Sequence, residues 1–120
     1  MNVTEKLKQS REDATVLYRA IPETMRAYQG LMKAASKGGA LAARIKELMA
    51  LAIAVHARCE ACVIYHVDAA SRHGASREEV AETLAIAIEM GGGPATVYGG
   101  IALAAFDQLN GVSKQAQAIS

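Results

Sequence analysis

Over the first twenty positions, apolar residues fall at Val3, Leu7, Ala14, Leu17 and Tyr18 among charged ones. That spacing predicts an amphipathic helix with one face turned to a core. Pro22 suits the first turn of a second helix, which should run to about Ser36 and stop at Gly38-Gly39. Leu41 to about His56 reads as a third helix, almost wholly apolar beyond Glu47, and is expected to be the central and most buried one. A fourth is predicted from near Cys59 to His73, with Gly74 as its C-terminal stop. Ser76-Arg77-Glu78-Glu79 has the form of a capping box and opens a fifth helix to about Met90. Gly91-Gly92-Gly93-Pro94 breaks the chain and starts a sixth, ending near Asn110-Gly111, and the polar residues that follow are expected to fray. Neither sustained alternation nor an Asn-Gly or Asp-Gly hairpin between alternating runs marks a strand. The pattern predicts an all-α fold, a compact bundle of about six helices.

Composition adds size and surface to this picture. The chain has 120 residues, which suits a single domain over residues 1–120 with one core. Hydrophobic residues make up 52% but aromatic ones only 4%, with no Trp and one Phe, so the core must be built from Ala, Leu, Ile, Val and Met. So short a chain cannot hide this much apolar surface by itself, and the excess predicts a subunit interface in a symmetric oligomer. The 13 basic and 12 acidic residues nearly cancel, which gives no reason to expect nucleic acid or an anionic membrane as a partner. No apolar stretch follows the charges near Met1, so no secretory signal is expected. Leu48 to Ala57, the longest nearly uncharged run, is about half the length that spans a bilayer. These features predict a soluble, cytoplasmic protein, and in a reducing cytosol a close cysteine pair is more often catalytic or metal-binding than structural.

The only two cysteines form such a pair, Cys59-Glu60-Ala61-Cys62, with His66 just beyond and Glu47 before. On a helix Cys59 and Cys62 stand at i and i+3 and His66 at i+4 from Cys62, so all three project from one face. A thiol in the first turn of a helix meets unpaired N–H groups and the positive end of the dipole, which favour thiolate. His66 is one turn on and can take the proton of Cys62. A reactive thiol with a resolving partner is what peroxide reduction or disulfide exchange needs. Metal ligation is the rival reading. A closed zinc site needs four ligands, and Cys59, Cys62 and His66 would have to recruit Glu47 or His56 into a crowded face. Inert core thiols are the third possibility.

Glu47 is the only acid between Gly39 and Cys59. Among Leu48, Met49, Leu51, Ile53 and Val55 it is either a solvated partner of Arg44 or Lys46, or a buried group able to accept a proton. His56 is placed to hydrogen-bond backbone near the third helix end, and His73 to cap the fourth helix. Glu60 reads as solvated, and Tyr65 and Tyr98 as packing residues that can line a pocket. The glycine run lacks the Lys-Ser/Thr of a phosphate loop and follows a helix, so it reads as a sharp connection or a close backbone contact. No cofactor-binding motif is visible, and no cofactor is expected.

Glu47, eleven residues, Cys59-x-x-Cys62, three residues and His66, followed by the Met90-Gly91-Gly92-Gly93-Pro94 break and an apolar helix, resembles the alkylhydroperoxidase D-like proteins of the carboxymuconolactone decarboxylase superfamily. The resemblance covers roughly Leu41 to Leu109. It implies an all-α subunit assembling into a homotrimer or homohexamer, and a thiol-dependent enzyme that reduces hydroperoxides. A dithiol donor, lipoylated or thioredoxin-like, would recycle it. By the same resemblance Cys62 is the peroxidatic thiol, Cys59 the resolving one, and His66 with Glu47 the proton relay. Some peroxidase members carry a His immediately before the second cysteine, where this chain has Ala61. The lactone decarboxylases themselves generally lack the cysteine pair, which sets this chain on the redox branch.

Overall fold

The computed structural model describes residues 1–111, so the expected fraying of the last residues lies outside the described residues. Six helices follow one another: α1 (Val3–Ala20), α2 (Pro22–Ser36), α3 (Ala43–His56), α4 (Glu60–Arg72), α5 (Arg77–Gly91) and α6 (Gly93–Leu109). No strand occurs among the described residues, and the all-α bundle is as the pattern predicts. Elements begin and end within two residues of the expected positions, and the differences lie at the caps. Cys59 is the N-cap of α4 and not its first helical residue, and His73 is its C-cap. Only Gly92 of the glycine run stands outside a helix.

Helices α3 to α6 pack on one another, and α1 lies across α4 and α6. Leu51, Val55, Val63, Val67 and Val80 are fully buried at their centre. These are small aliphatic side chains, so helices can approach closely, and Phe106 alone adds a large ring to the core. From α1 only Val3 and Leu7 are buried. The bundle therefore rests on the last four helices, with α1 strapped over them. By contrast α2 has an apolar stripe and buries no residue. Its main contacts are with α1 and, more sparsely, α3. The expectation that α3 is the most buried helix needs correcting on one flank. Leu51 and Val55 are fully buried, but Met49 and Ile53 are 49% and 68% exposed, because α2 stands off from that flank and leaves a groove.

Charged residues tie the elements together. Ser76 accepts from the Glu79 N–H at 3.0 Å while Glu79 Oε1 accepts from the Ser76 N–H at 2.9 Å, which is the capping box read in the sequence. Glu79 Oε2 also accepts from Arg44 Nε of α3 at 3.1 Å. At the same end of α5, where it meets the last turn of α6, a two-pronged pair closes the bundle. Arg77 Nε and Nη2 donate to Asp107 Oδ1 and Oδ2 at 2.8 and 3.0 Å. Asp107 is 1% exposed, so its charge is tolerable only with that guanidinium in place.

Two outcomes follow from these ties. The Glu79 carboxyl is held below its ordinary value of 4.5, first by the Ser76 N–H and then by Arg44. A group with a lowered folded pKa stabilises the fold above its unfolded value and stops doing so as pH falls through the lowered one. The gap in urea midpoint between wild type and Glu79→Gln should therefore be widest at neutral pH and narrow below 4.5; a gap independent of pH contradicts it. Arg77→Ala should destabilise more than Asp107→Asn, since the first strands a buried carboxylate and the second leaves a guanidinium that water can reach. Chemical denaturation of the two variants gives the order directly.

Candidate active site

The site begins with the turn that joins α3 to α4. At the end of α3 the Arg58 N–H donates to the Val55 carbonyl at 3.1 Å and the Cys59 N–H to the Ala54 carbonyl at 3.2 Å. This is a Schellman turn, with its left-handed position at Arg58, φ 58°. Glycine usually occupies that position, and Gly74 does so in the matching turn after α4. In the same step Cys59 caps α4: its Sγ accepts from the Cys62 N–H at 3.3 Å. One residue thus closes α3 and opens α4, and the two helices return antiparallel with almost no linker.

Cys59 and Cys62 are joined in a disulfide, with their Cα atoms 5.2 Å apart. Cys59 is half-buried and Cys62 exposed, so the bond lies at the edge of the bundle, within reach of solutes. One turn deeper on α4, His66 Nδ1 stands 2.8 Å from Glu47 Oε2 of α3. The carboxyl is the more buried of the two, with side-chain exposures of 11% for Glu47 and 23% for His66. A carboxylate can only accept, so Nδ1 carries the proton, and whenever the ring is neutral Nε2 keeps its lone pair. Tyr65 meets His66 edge to face at 5.0 Å between ring centres.

Glu47 is thus paired and buried, not solvated, and its two charged neighbours are occupied elsewhere. Arg44 is bound to Glu79. Lys46 Nζ donates to the carbonyls of Ala35 and Lys37, at the end of α2, at 3.0 and 2.6 Å. Of the other residues singled out, His56 is exposed at the end of α3. It stands where a Cβ on Gly91 would meet its Nδ1 at 3.3 Å and the Ala95 Cβ at 3.0 Å. The glycine run is therefore both a sharp connection and a close contact. His73 caps α4, and Tyr98 packs against the core. Glu60 is exposed and paired with Lys6 at 2.7 Å. Among the described residues no group of three or more His, Cys, Asp or Glu side chains is gathered in a way that could hold a metal.

One feature escaped the sequence reading. A groove of about 780 Å³ runs between α2 and the α3–α4 hairpin, with Glu47 and His66 in its wall beside Tyr65, Met49 and Ile53. Met25, Gln29, Met32 and Ser36 of α2 face it. Their helical spacing in the sequence was the available signal, but the same spacing also describes a helix packed on a core.

Comparison with known proteins agrees with this fold. The model of the carboxymuconolactone decarboxylase family matches residues 22–106. The chain belongs to that family. Within it, the cysteine pair sets the chain among the alkylhydroperoxidase D-like members. An uncharacterised protein of Cupriavidus necator is 54% identical over 94 residues, which covers 78% of this chain and 83% of the relative. The crystal structure of a carboxymuconolactone decarboxylase family protein from Legionella pneumophila superposes with a TM-score of 0.85 at 37% identity, covering 88% of this chain and 95% of that one. A Thermotoga maritima member of the family, for which a part in the antioxidative response has been suggested, gives 0.80 at 28% identity over 96% of this chain and 98% of its own. The disulfide-capable Cys59–Cys62 pair gives this family member the outline of a redox site.

If Glu47 steadies the ring that accepts the Cys62 proton, removing its charge should slow thiolate formation. In the reduced protein, Glu47→Gln is expected to alkylate at Cys62 about tenfold more slowly than wild type at neutral pH and to converge with it at high pH, a modest share of what a positioned base supplies. Equal rates at neutral pH would show that the pair does not act on the thiol. Mass spectrometry of the labelled peptide reads both.

Proposed function

We propose that this protein is a thiol-dependent antioxidant oxidoreductase that reduces organic hydroperoxides at Cys62. The observation that carries the reading is a disulfide-forming pair at a helix start, one turn from an imidazole held by a buried carboxylate. The suggested antioxidative role of the Thermotoga maritima relative supports it.

In the reduced enzyme, His66 Nε2 accepts the Cys62 proton, directly or through a water, and Glu47 stabilises the imidazolium. The thiolate attacks the terminal peroxide oxygen. The O–O bond breaks, the alkoxide takes the proton from His66 and leaves as an alcohol, and Cys62 becomes a sulfenic acid. The Cys59 sulfur then attacks Cys62, the S–O bond breaks, and the hydroxyl leaves as water with the Cys59 proton. An external dithiol reduces the disulfide by exchange. The sum is hydroperoxide plus dithiol giving alcohol, water and the oxidised donor.

The proposed donor is a lipoylated or thioredoxin-like protein. Cytoplasm is the proposed location, since the cycle needs a reducing supply; no helix among the described residues is long and apolar enough to cross a membrane. A homotrimer or homohexamer is the proposed assembly. Leu31, Ile86, Met90 and Val97 are 64%, 58%, 73% and 61% exposed, and an isolated subunit would hold that apolar surface in water.

A second reading, exchange of protein or small-molecule disulfides with little peroxidase activity, is favoured by Ala61, which leaves no imidazole beside Cys62 on that side. Cys62→Ser should abolish turnover of cumene hydroperoxide with a dithiol donor, and Cys59→Ser should stop after one turnover with a sulfenic acid that a dimedone probe captures. Wild type that leaves peroxide untouched while reducing lipoamide disulfide selects the second reading. Full peroxidase activity in Cys62→Ser removes the first.

A further inference from the structure

We infer that the groove between α2 and the α3–α4 hairpin seats the apolar chain of an anionic amphiphile, with Lys33 receiving its carboxylate. On the proposed peroxidase reading, this makes the substrate class a carboxylate-bearing organic hydroperoxide.

The groove has a use for such a molecule along its whole length. Its volume of about 780 Å³ falls in the range of small-molecule sites, about 300–1,000 Å³. Its wall is mostly apolar, with Met25, Met32 and Met49 among the lining side chains. Unbranched thioethers adapt to chains of differing shape. The apolar stripe of α2 buries nothing in the core, so this groove is where that stripe finds an apolar neighbour.

Three charged side chains line it: Lys33, Lys46 and Glu47. Glu47 is bonded to His66 and Lys46 to the terminal carbonyls of α2. Lys33, in the last turn of α2, is the cation whose ammonium is not committed to holding the fold in either of these ways. A bound carboxylate at Lys33 would leave the chain lying toward the wall that contains Glu47 and His66. Charge complementarity thus commits the groove to an anionic head and an apolar tail, not to a neutral oil.

The test separates this from the peroxide chemistry, because the probe carries no peroxide. Decanoate and decanol are titrated by calorimetry into wild type, Lys33→Glu, Lys33→Arg and Cys62→Ser. Decanoate should bind wild type, Lys33→Arg and Cys62→Ser alike. Lys33→Glu should bind it about tenfold more weakly, roughly 1.4 kcal/mol, with the difference shrinking in high salt. Decanol should not distinguish Lys33→Glu from wild type. Equal decanoate binding by wild type and Lys33→Glu overturns the inference. So does an absence of decanoate binding, which together with a smaller assembly in Lys33→Glu would assign the groove to a second copy of the chain. Binding as expected in a protein that reduces no peroxide refutes the peroxidase reading and leaves the groove assignment standing.

Discussion

The turn at Ala57, Arg58 and Cys59 is the constraint on which the site depends. Any longer link would let α3 and α4 slide along each other, and the meeting of Glu47 with His66 would have no fixed register. Here the Cys59 N–H satisfies a carbonyl of α3 while its sulfur satisfies an N–H of α4, so the orphan groups at two helix ends are met by one residue. This requires a left-handed residue at Arg58, a conformation that costs an ordinary side chain about 1–2 kcal/mol. The rest of the bundle stabilises that geometry, and the gain is a hairpin whose two helices meet in one register.

Electrostatic sorting along α3 makes Glu47 available to His66. Three of its residues, Arg44, Lys46 and Glu47, are charged within one turn, and in an isolated helix they would neutralise one another in solvent. The bundle gives each a different partner: Glu79 on α5, the carbonyl end of α2, and His66 on α4. Arg44 and Lys46 thus steady the elements on either side of the site. Glu47 keeps a single strong contact, at the position where burial makes a carboxylate most dependent on its partner.

Much of this was legible in the sequence, because the signals were local. Pro22, the Ser76 box and the glycines at 74 and 92 mark helix ends by backbone chemistry that needs no tertiary context. The shared phase of Cys62 and His66 follows from helical geometry alone, whereas Cys59 stands at the cap in extended backbone. The partner of Glu47 came only from the family resemblance and not from local signals, since Arg44 and Lys46 are nearer in sequence and only packing removes them from competition. The same limit hid Asp107. An acid in an apolar helix signals a buried partner, but Arg77, thirty residues away, can be found only once α5 and α6 are placed. The groove was hidden for a different reason: an amphipathic α2 looks the same whether its stripe meets a core or stands off from one.

The two sulfurs sit in different surroundings, and the difference fits the proposed division of labour. Cys62 is exposed and shares a helical face with His66, so on the proposed reading a peroxide or an incoming dithiol would reach it first, with a base one turn away for its proton. Cys59 is half-buried at the helix cap, where a backbone N–H already points at its sulfur. When a donor thiolate attacks Cys62, the sulfur expelled is Cys59, and the cap that accepts its developing charge is in place before the bond breaks. A thiol stabilised as an anion leaves faster. The Cys62 N–H that caps the start of α4 would therefore also lower the barrier for reopening the disulfide, so the helix cap and the proposed turnover share one hydrogen bond.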